Sequence, residues 1–298
     1  MSGAGRLVVV ATPIGNLGDL SPRAKDTLGE ADVVACEDTR HTGLLLQASG
    51  VRAHRLVSLH EHNEAARLEE LLAVVAGGGT VALVSDAGTP LVSDPGARLV
   101  ASAAAAGVVV QAVPGPSALL AALVVSGFDT RRFCFEGFLA RKGPERRVAL
   151  QRIAAAEEPT VCYESPQRLV ATLSELAAHC GGQRRVAVAR ELTKRFEETW
   201  RGTLVEAVDW AADRPARGEY ALVLDAAPPA LPGAERSPEA LRDLAGRLIA
   251  AGLRRKDAAS ALEICLEVPH RAAYDASLAG AASGQGTASE GGRDAPVR

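Results

Sequence analysis

The sequence predicts an α/β protein in which short buried strands alternate with helices. Three stretches carry this prediction, because each reads as a strand, a polar loop rich in Gly and Pro, and the start of a helix. They are residues 6–22, 81–99 and 108–125. In open α/β sheets, ligands bind outside the carboxyl ends of the strands, where glycines admit a close approach. The sequence therefore predicts one small-molecule site where the three loops meet.

Composition limits the class of protein. The chain has 298 residues, 47% of them hydrophobic and 23% charged, with a net charge of −3. This length favours about two domains. The charge excludes a protein that coats nucleic acid on all sides, but a local basic face is compatible with it. No apolar run reaches the ~18 residues of a membrane span and the amino terminus lacks a signal-peptide pattern, so we expect a cytoplasmic protein without membrane contact.

Neither the cysteines nor the histidines predict a metal site. The five cysteines lie singly, without a Cys-x-x-Cys pair, so we expect neither structural disulfides nor a cysteine-ligated zinc ion. His60 and His62 form a His-x-His pair without a third ligand pattern, which favours a polar helix start over a set of metal ligands.

The first half of the chain places polar loops after five strands. Ser21 is expected to cap the first helix, with Pro22 at its first position. The loop before it contains neither G-x-G-x-x-G nor G-K-[ST], which argues against a nicotinamide fingerprint and a P-loop. Strands 32–36 and 57–59 run into the polar clusters 37–41 and 60–64. In the central loop, Asp94 and Pro95 are expected to open a helix, and Ser117 is expected to cap the helix that ends near residue 125.

The second half is expected to repeat the strand-helix pattern without glycine-rich loops, which suits a cover over the ligand. Its expected strands are residues 133–138, 160–163, 185–190, 197–202 and 220–224. A Pro- and Ala-rich linker follows, then two short helices around Gly252 that resemble a helix-turn-helix. The basic turn at 254–256 fits either an RNA contact or a solvated surface. The expected divisions are 1–128, 129–225, a linker 226–236, a helical module 237–275 and a disordered tail 276–298.

Seven motifs together carry a family resemblance. They are Ala-Thr-Pro-Ile-Gly-Asn-Leu-Gly-Asp (11–19), Cys-Glu-Asp-Thr-Arg-His-Thr (36–42), His-Glu-His-Asn-Glu (60–64), Ser-Asp-Ala-Gly-Thr-Pro-Leu-Val-Ser-Asp-Pro-Gly (85–96), Val-Pro-Gly-Pro-Ser-Ala (113–118), Tyr-Glu-Ser-Pro-Gln-Arg (163–168) and Arg-Glu-Leu-Thr-Lys (190–194). In order and spacing the chain resembles the ribosomal RNA small-subunit (cytidine-2′-O)-methyltransferases of the tetrapyrrole methylase superfamily. The likeness runs from about residue 7 to 225, and a weaker one covers the C-terminal module.

The resemblance implies two α/β domains with S-adenosylmethionine in the cleft between them, a homodimer, and methylation of a decoding-centre cytidine in the 16S rRNA of the small ribosomal subunit. It assigns cofactor binding to Ile14, Gly15, Asn16, Asp86, Gly88, Thr89, Val92, Ser117, Ala118, Glu164 and Leu192. Residues 13–16 stand where superfamily members carry Gly-Pro-Gly-Asp. The chain lacks the acid of that motif, which argues against a tetrapyrrole methylase proper.

Methyl transfer from a sulfonium to a ribose hydroxyl needs alignment and a base that accepts a proton. The candidates are Glu37, Asp38, His60 and Glu61, of which the resemblance favours Glu37 because relatives carry a catalytic acid near that position. For each of them, a cap, turn or RNA-positioning role is the alternative. The reaction needs no metal.

Basic side chains are candidates for contacts to RNA phosphates, or for solvated surface charges. They are Arg40, Arg141, Lys142, Arg190, Lys194 and Arg195. We expect no DNA partner. Two other functions stay open: a methyltransferase of the same superfamily that acts on a small tetrapyrrole, and a non-catalytic ribosome assembly factor with a vestigial cofactor pocket.

Overall fold

The computed structural model describes residues 5–60, 63–228, 237–266 and 268–283. The chain divides into two compact units, Met1–Pro228 and Pro229–Arg298. Four predictions fall wholly or partly on positions outside the described residues: Glu61 as a candidate base, His62 of the His-x-His pair, the linker over 229–236, and the tail over 284–298. None of the described helices is long and apolar enough to cross a membrane.

A five-stranded parallel sheet forms the first half of the large unit, with strand order β3-β2-β4-β1-β5. Its strands are β1 (Arg6–Val10), β2 (Val33–Cys36), β3 (Leu56–Ser58), β4 (Thr80–Leu83) and β5 (Val109–Val113). The helices that follow the strands are α1 (Pro22–Glu30), α2 (Thr39–Ala48), α3 (Glu64–Ala76), α4 (Ala97–Ala105) and α5 (Ala118–Ser126). Because all five strands are parallel, their carboxyl ends and the loops that follow them lie at one edge.

Separate apolar cores cover the two faces of this sheet, as a parallel sheet requires. On one face, Val10 and Ala82 pack with Leu28 of α1 and Leu46 of α2. On the other, Leu83 packs with side chains of α3 and α4. The predicted cap of α1 is confirmed, since the Ser21 hydroxyl accepts a hydrogen bond from the Ala24 N–H at 3.1 Å.

Helix α4 does not begin where the sequence predicted. It begins at Ala97, after Gly96 in a left-handed conformation (φ +113°), so the expectation that Asp94 and Pro95 open it is wrong. The cap comes from α3 instead, because Oε1 of the buried Glu64 accepts hydrogen bonds from the N–H groups of Arg98 (2.9 Å) and Leu99 (3.2 Å). The carboxyl group of Asp94 therefore does not serve as the helix cap.

The second half forms a mixed sheet and not a repeat of the first, which corrects that prediction. Its strands are β6 (Cys134–Phe138), β7 (Thr160–Glu164), β8 (Arg185–Arg190), β9 (Glu198–Thr203) and β10 (Tyr220–Leu224), in the order β6-β7-β10-β8-β9. Only β6 and β7 pair in parallel, and the other three pairs are antiparallel. Helices α6 (Pro144–Ala155), α7 (Leu169–Cys180) and α8 (Leu204–Ala212) cover one face.

Helix α5 covers the other face of the mixed sheet and so joins the two halves. Its Ala122 and Leu123 share a buried core with Ala187 and Ala221 of the sheet, and with Ile14 from the loop after β1. Small alanines on the strands let the helix approach closely. The expected boundary at 128/129 falls between α5 and β6.

The described part of the C-terminal unit, residues 237–266 and 268–283, has three helices, one more than the sequence predicted: α9 (Pro238–Ala250), α10 (Arg255–Leu266) and α11 (His270–Ser283). Leu241, Leu262 and Ala273 form its core. The expectation of disorder is wrong for residues 276–283, which belong to α11. Small alanines are good helix formers, and Ala273 and Ala276 bury one face of α11 in this core.

Candidate functional site

Hydrogen bonds tie three strand-end loops together at the carboxyl edge of the parallel sheet. The backbones of Thr12 and Gly88 exchange two bonds, of 2.8 and 3.0 Å. The Thr12 hydroxyl donates to the carbonyl oxygen of Ser85 (3.2 Å), and the Thr89 hydroxyl donates to that of Pro116 (3.0 Å). The loops after β1, β4 and β5 thus meet, as the sequence predicted.

Gly88 is required at the centre of this contact. Its φ of +85° lies in the left-handed region, and a Cβ atom there would lie 3.2 Å from Cγ2 of Ile14. A side chain would therefore be strained and would press on the neighbouring loop.

A cavity of ≈ 380 Å³, which we call the inner cavity, opens above these loops. The parallel-sheet half forms its floor and the mixed-sheet half forms its roof. The floor consists of Ile14, Asp86, Ala87, Gly88, Thr89, Val92, Ser93, Asp94, Ser117 and Ala118, and the roof of Phe138, Tyr163, Glu164, Ser165, Pro166, Leu192, Gly218, Glu219, Tyr220 and Ala221. Every residue that the resemblance assigns to the cofactor lies here, except Gly15 and Asn16.

Gly15 and Asn16 shape the loop beside the inner cavity but do not line it. The Asn16 Oδ1 accepts a hydrogen bond from the Gly18 N–H at 3.0 Å and so caps a short turn. Gly15 lies against the side chain of Lys194, since a Cβ atom at Gly15 would come within 2.4 Å of the Lys194 Cγ. Both positions therefore fix where the loop runs.

Strained backbone flanks the inner cavity on both sides. Leu91 and Ser93 have φ of 72° and 68° on the floor, and Glu191 and Thr193 have 52° and 66° at the roof. Such conformations of non-glycine residues cost about 1–3 kcal/mol each and concentrate at functional sites. Each pair encloses one residue that lines the cavity, Val92 or Leu192.

Lys194 holds the roof loop and is not a free surface cation, which changes its expected role as an RNA contact. Its Nζ lies 2.9 Å from Oε1 of Glu191 and 2.9 Å from Oε2 of Glu219, and the side chain is 27% exposed. Glu219 lines the inner cavity. Four of the other predicted RNA contacts are exposed: Arg40, Arg141, Lys142 and Arg195. Arg190 is half-buried, and its Nε donates a hydrogen bond to the carbonyl oxygen of Arg217 (3.3 Å).

Glu164 belongs to the roof and is held in place by its own hydrogen bonds. Its side chain is fully buried, and its Oε2 accepts a hydrogen bond from the Thr172 hydroxyl (2.6 Å) and lies 3.2 Å from Nη2 of Arg168. Its Oε1 accepts from the Ser165 N–H at 2.7 Å. Because both oxygens are engaged, Glu164 acts on the cavity through the position of the wall.

A second, more open cavity of ≈ 430 Å³ adjoins the first, and we call it the outer pocket. Its walls are Glu37, Asp38, Thr39, Arg40, Ser58, His60 and Asp86. It thus contains the predicted catalytic residues Glu37, Asp38 and His60 together with Arg40. Asp86 lines both cavities and marks their junction.

Asp38 serves as a helix cap. Its Oδ1 accepts a hydrogen bond from the Arg40 N–H at the start of α2 (2.8 Å), and its Oδ2 pairs with the Arg40 guanidinium (2.7 Å). These bonds hold the pKa of Asp38 well below its usual range. A carboxylate with so low a pKa is a poor proton acceptor, which argues against the predicted catalytic role.

Glu37 and Asp94 have raised pKa values. Burial raises the pKa of Glu37 and the charge of Asp86 adds to this, while His60 opposes it. Burial and the charge of Glu37 raise the pKa of Asp94 to about 6, against a hydrogen bond from Ser85. Asp94 lines the inner cavity, whereas the sequence predicted for it only a position at the start of a helix. Its Ser-Asp-Pro-Gly context at a strand-end loop was the available signal.

Comparison with known proteins identifies the family. The sequence pattern of the Tetrapyrrole (Corrin/Porphyrin) Methylases matches residues 6–208. The chain is 46% identical over 274 residues to the "Ribosomal RNA small subunit methyltransferase I" of Synechocystis sp., across 92% of this chain and 98% of the relative. It is 45% identical over 279 residues to the protein of the same name from Mycobacterium tuberculosis, across 92% and 95% of the two chains.

Solved structures show the same fold. A cobalt precorrin-4 methyltransferase aligns with a TM-score of 0.57 at 17% identity, over 74% of this chain and 94% of that one. The uroporphyrin-III C-methyltransferase of Thermus thermophilus, in complex with S-adenosylhomocysteine, aligns with a TM-score of 0.53 at 21% identity, over 74% and 97%. Together with the family pattern and the curated relatives, these likenesses lead to one conclusion: the chain belongs to the tetrapyrrole methylase family.

Proposed function

We propose that the chain is an S-adenosylmethionine-dependent methyltransferase that methylates a cytidine 2′-oxygen in the 16S rRNA of the small ribosomal subunit. The names of relatives that are 45–46% identical support a ribosomal RNA substrate. The observation that carries the proposal is the pair of adjoining cavities that share Asp86, since two substrates that exchange one carbon must meet.

The inner cavity fits the cofactor. Ile14, Val92 and Leu192 supply apolar surface. Ser117 and Ala118 lie at the start of α5, where the first N–H groups of a helix lack acceptors within the helix and favour a carboxylate such as that of the methionine moiety. A volume of ≈ 380 Å³ is in the usual range of sites for small ligands.

The cofactor, when bound, supplies an electrophilic methyl group on a sulfonium. The task of the protein is then to orient the ribose hydroxyl, exclude water and accept one proton. In our proposal the outer pocket holds the target nucleotide, so that its hydroxyl reaches the junction at Asp86. Arg40, Arg141, Lys142, Arg190 and Arg195 supply phosphate contacts around it.

The proposal includes two further features. Helix α5 exposes Leu120 (50%) and Val124 (70%), which lie one turn apart and form an apolar surface that suits a homodimer. Action on ribosomal RNA would place the enzyme in the cytoplasm.

Transfer of a tritiated methyl group tests the function. We expect incorporation into 30S particles or 16S rRNA at one cytidine, where the new 2′-O-methyl group makes the adjacent phosphodiester bond resistant to alkali. Particles in which that cytidine is already methylated should accept no label. Ribosomes from a strain that lacks the protein should lack that one modification. An unchanged modification map would refute the proposal, and incorporation into a tetrapyrrole alone would favour the small-molecule alternative. Failure to bind S-adenosylmethionine in calorimetry would leave only the assembly factor.

A further inference from the structure

The proposed function requires a proton acceptor for the ribose hydroxyl, and each cavity offers a carboxylate, Glu37 in the outer pocket and Asp94 in the inner cavity. We propose that Asp94, which lines the inner cavity, accepts this proton. This inference rests on the proposed function and extends it to a residue of the inner cavity.

Asp94 lines the inner cavity and does not cap helix α4. Helix α4 would ordinarily draw its cap from a residue such as Asp94, but Glu64 of α3 supplies that cap. Ser93, with a φ of 68°, and Gly96, with a φ of 113°, hold residues 93–96 outside the helix. A Cβ atom at Gly137 of β6 would lie 2.7 Å from the Ser93 Oγ, so the roof packs closely against this turn.

The other carboxylates of the inner cavity are already engaged. Glu164 accepts three hydrogen bonds, two at Oε1 and one at Oε2, and Glu219 pairs with Lys194. Asp86 accepts the Asp38 N–H at Oδ1 (3.1 Å), and its Oδ2 lies 3.5 Å from Nδ1 of His41. Asp94 is hydrogen-bonded by Ser85, a neutral donor that does not fix its charge.

The surroundings of Asp94 tune its basicity. Burial and the charges of Glu37 and Asp86 raise its pKa to about 6, and the Ser85 hydroxyl opposes the rise. From the roof, Tyr163 faces it as a neutral phenol, whose own pKa is raised to about 12 by burial and by the charge of Asp94. Such a carboxyl is still ionised at neutral pH, yet it is a stronger base than an exposed aspartate.

The step conserves atoms and charge. As the bond between the ribose 2′-oxygen and the methyl carbon forms, the bond between that carbon and sulfur breaks and sulfur keeps the electron pair. The hydroxyl proton passes to Oδ of Asp94. The products are the methyl ether, the neutral thioether and a protonated Asp94, which then releases its proton to solvent.

The test compares Asp94→Asn, Asp94→Glu and Glu37→Gln with Asp26→Asn, a control at an exposed position of α1. kcat for methyl transfer to 30S particles should fall by about 100-fold or more in Asp94→Asn, and Asp94→Glu should recover at least about tenfold of this loss. Binding of S-adenosylhomocysteine by calorimetry should change by less than about threefold in Asp94→Asn. Asp26→Asn should match the wild type.

The pH profile separates Asp94 from Glu37. In the wild type, kcat/KM should fall as the pH drops through about 6, because Asp94 becomes protonated. Removing the charge of Glu37 lowers the pKa of Asp94, so Glu37→Gln should move the acidic limb to lower pH and lose much less rate than Asp94→Asn. The unfolding midpoint of the ligand-free proteins, followed against pH, gives a readout that is independent of activity.

Distinct results would overturn each claim. An active wild type whose Asp94→Asn variant keeps its rate within about threefold at every pH would overturn the role of Asp94 alone. A loss of about 100-fold in Glu37→Gln with an unmoved acidic limb would assign the proton to Glu37. A wild type that transfers no methyl group to ribosomal RNA would overturn the proposed function, and the proton acceptor with it.

Discussion

Two neighbouring loops of the parallel sheet carry the same residue type with opposite behaviour. After β2, Asp38 caps its own helix and pairs with Arg40, which holds its pKa low. After β4, Asp94 does not cap α4, and its pKa is raised to about 6. Their surroundings decide the difference: the Arg40 side chain and the N–H groups at the start of α2 stabilise Asp38 as an anion, whereas Asp94 is partly buried beside the charge of Glu37. Glu64 of α3 supplies the cap of α4, so Asp94 does not have that role.

Removing Glu64, the cap that α3 supplies to α4, should have the largest effect on stability. In Glu64→Ala the Arg98 and Leu99 N–H groups lose their acceptor, and the unfolding free energy should fall by about 2 kcal/mol. Urea denaturation measures the change. Glu69→Ala, at an exposed position of the same helix, should change it by less than about 0.5 kcal/mol. Equal losses in the two variants would mean that Glu64 does not act as the cap.

The roof loop after β8 extends the comparison to a lysine. In Lys194→Met the two bonds to Glu191 and Glu219 are lost, and affinity for S-adenosylhomocysteine should fall by about tenfold, or ~1.4 kcal/mol. RNA affinity, from filter binding, should stay within about twofold. Arg195→Gln should do the reverse, with weaker RNA binding and unchanged cofactor affinity. If Lys194→Met weakens RNA binding alone, its side chain contacts RNA and does not hold the roof.

Replacing Asp94, which caps no helix, should stabilise the ligand-free protein at high pH. The folded pKa of Asp94 lies above the unfolded value of about 4, so its native interactions favour the protonated form. The contribution of Asp94 to the unfolding free energy is therefore most favourable below pH ~4 and is lost as the pH rises through ~6. Asp94→Asn should raise the unfolding free energy by ~1 kcal/mol near pH 8, after allowance for partial exposure, and by little near pH 4.

The stability contribution of Asp38, which caps α2, should depend on pH in the opposite sense and more weakly. Asp38 has a lowered pKa in the folded state, so its contribution is present above the unfolded pKa of about 4 and is lost as the pH falls below it. Asp38→Asn should lower the thermal midpoint slightly near neutral pH and leave it unchanged in strong acid. A midpoint that rises at neutral pH would show that the two loops do not differ in the way described.

Local patterns predicted the floor of the site in detail. For the roof they predicted only that the second half covers the ligand, and the family resemblance added Glu164 and Leu192, which both line the inner cavity. Ser21 and Ser117 cap their helices as expected, because a cap is decided within four residues. The meeting of three loops followed from the rule that parallel strands end at one edge. Tyr163, Phe138 and Glu219 reach the cavity only because β7, β6 and β10 pair within one mixed sheet, and strand pairing is not readable from single segments.

Contacts between residues far apart in the sequence explain most of the remaining wrong predictions. Asp94 was expected to start a helix because the Asp-Pro pair is a good local signal, whereas the actual cap is Glu64, 34 residues upstream of Arg98, whose N–H it accepts. Lys194 reads as one of several exposed basic residues, and only the folded position of Glu219 shows that it is bridged. The third C-terminal helix was missed because an Ala-rich segment has no strong apolar periodicity.

Ile14 and Leu192 belong to the shared core beneath α5 and also line the inner cavity. A molecule seated there would thus rest on the same side chains that fasten the parallel half to the mixed half. Ligand binding in the inner cavity and the stability of the large unit are thermodynamically linked, because a ligand that binds only the folded chain raises its melting temperature. Simple dye-based thermal scanning should therefore serve as a sensitive screen for compounds that enter this enzyme.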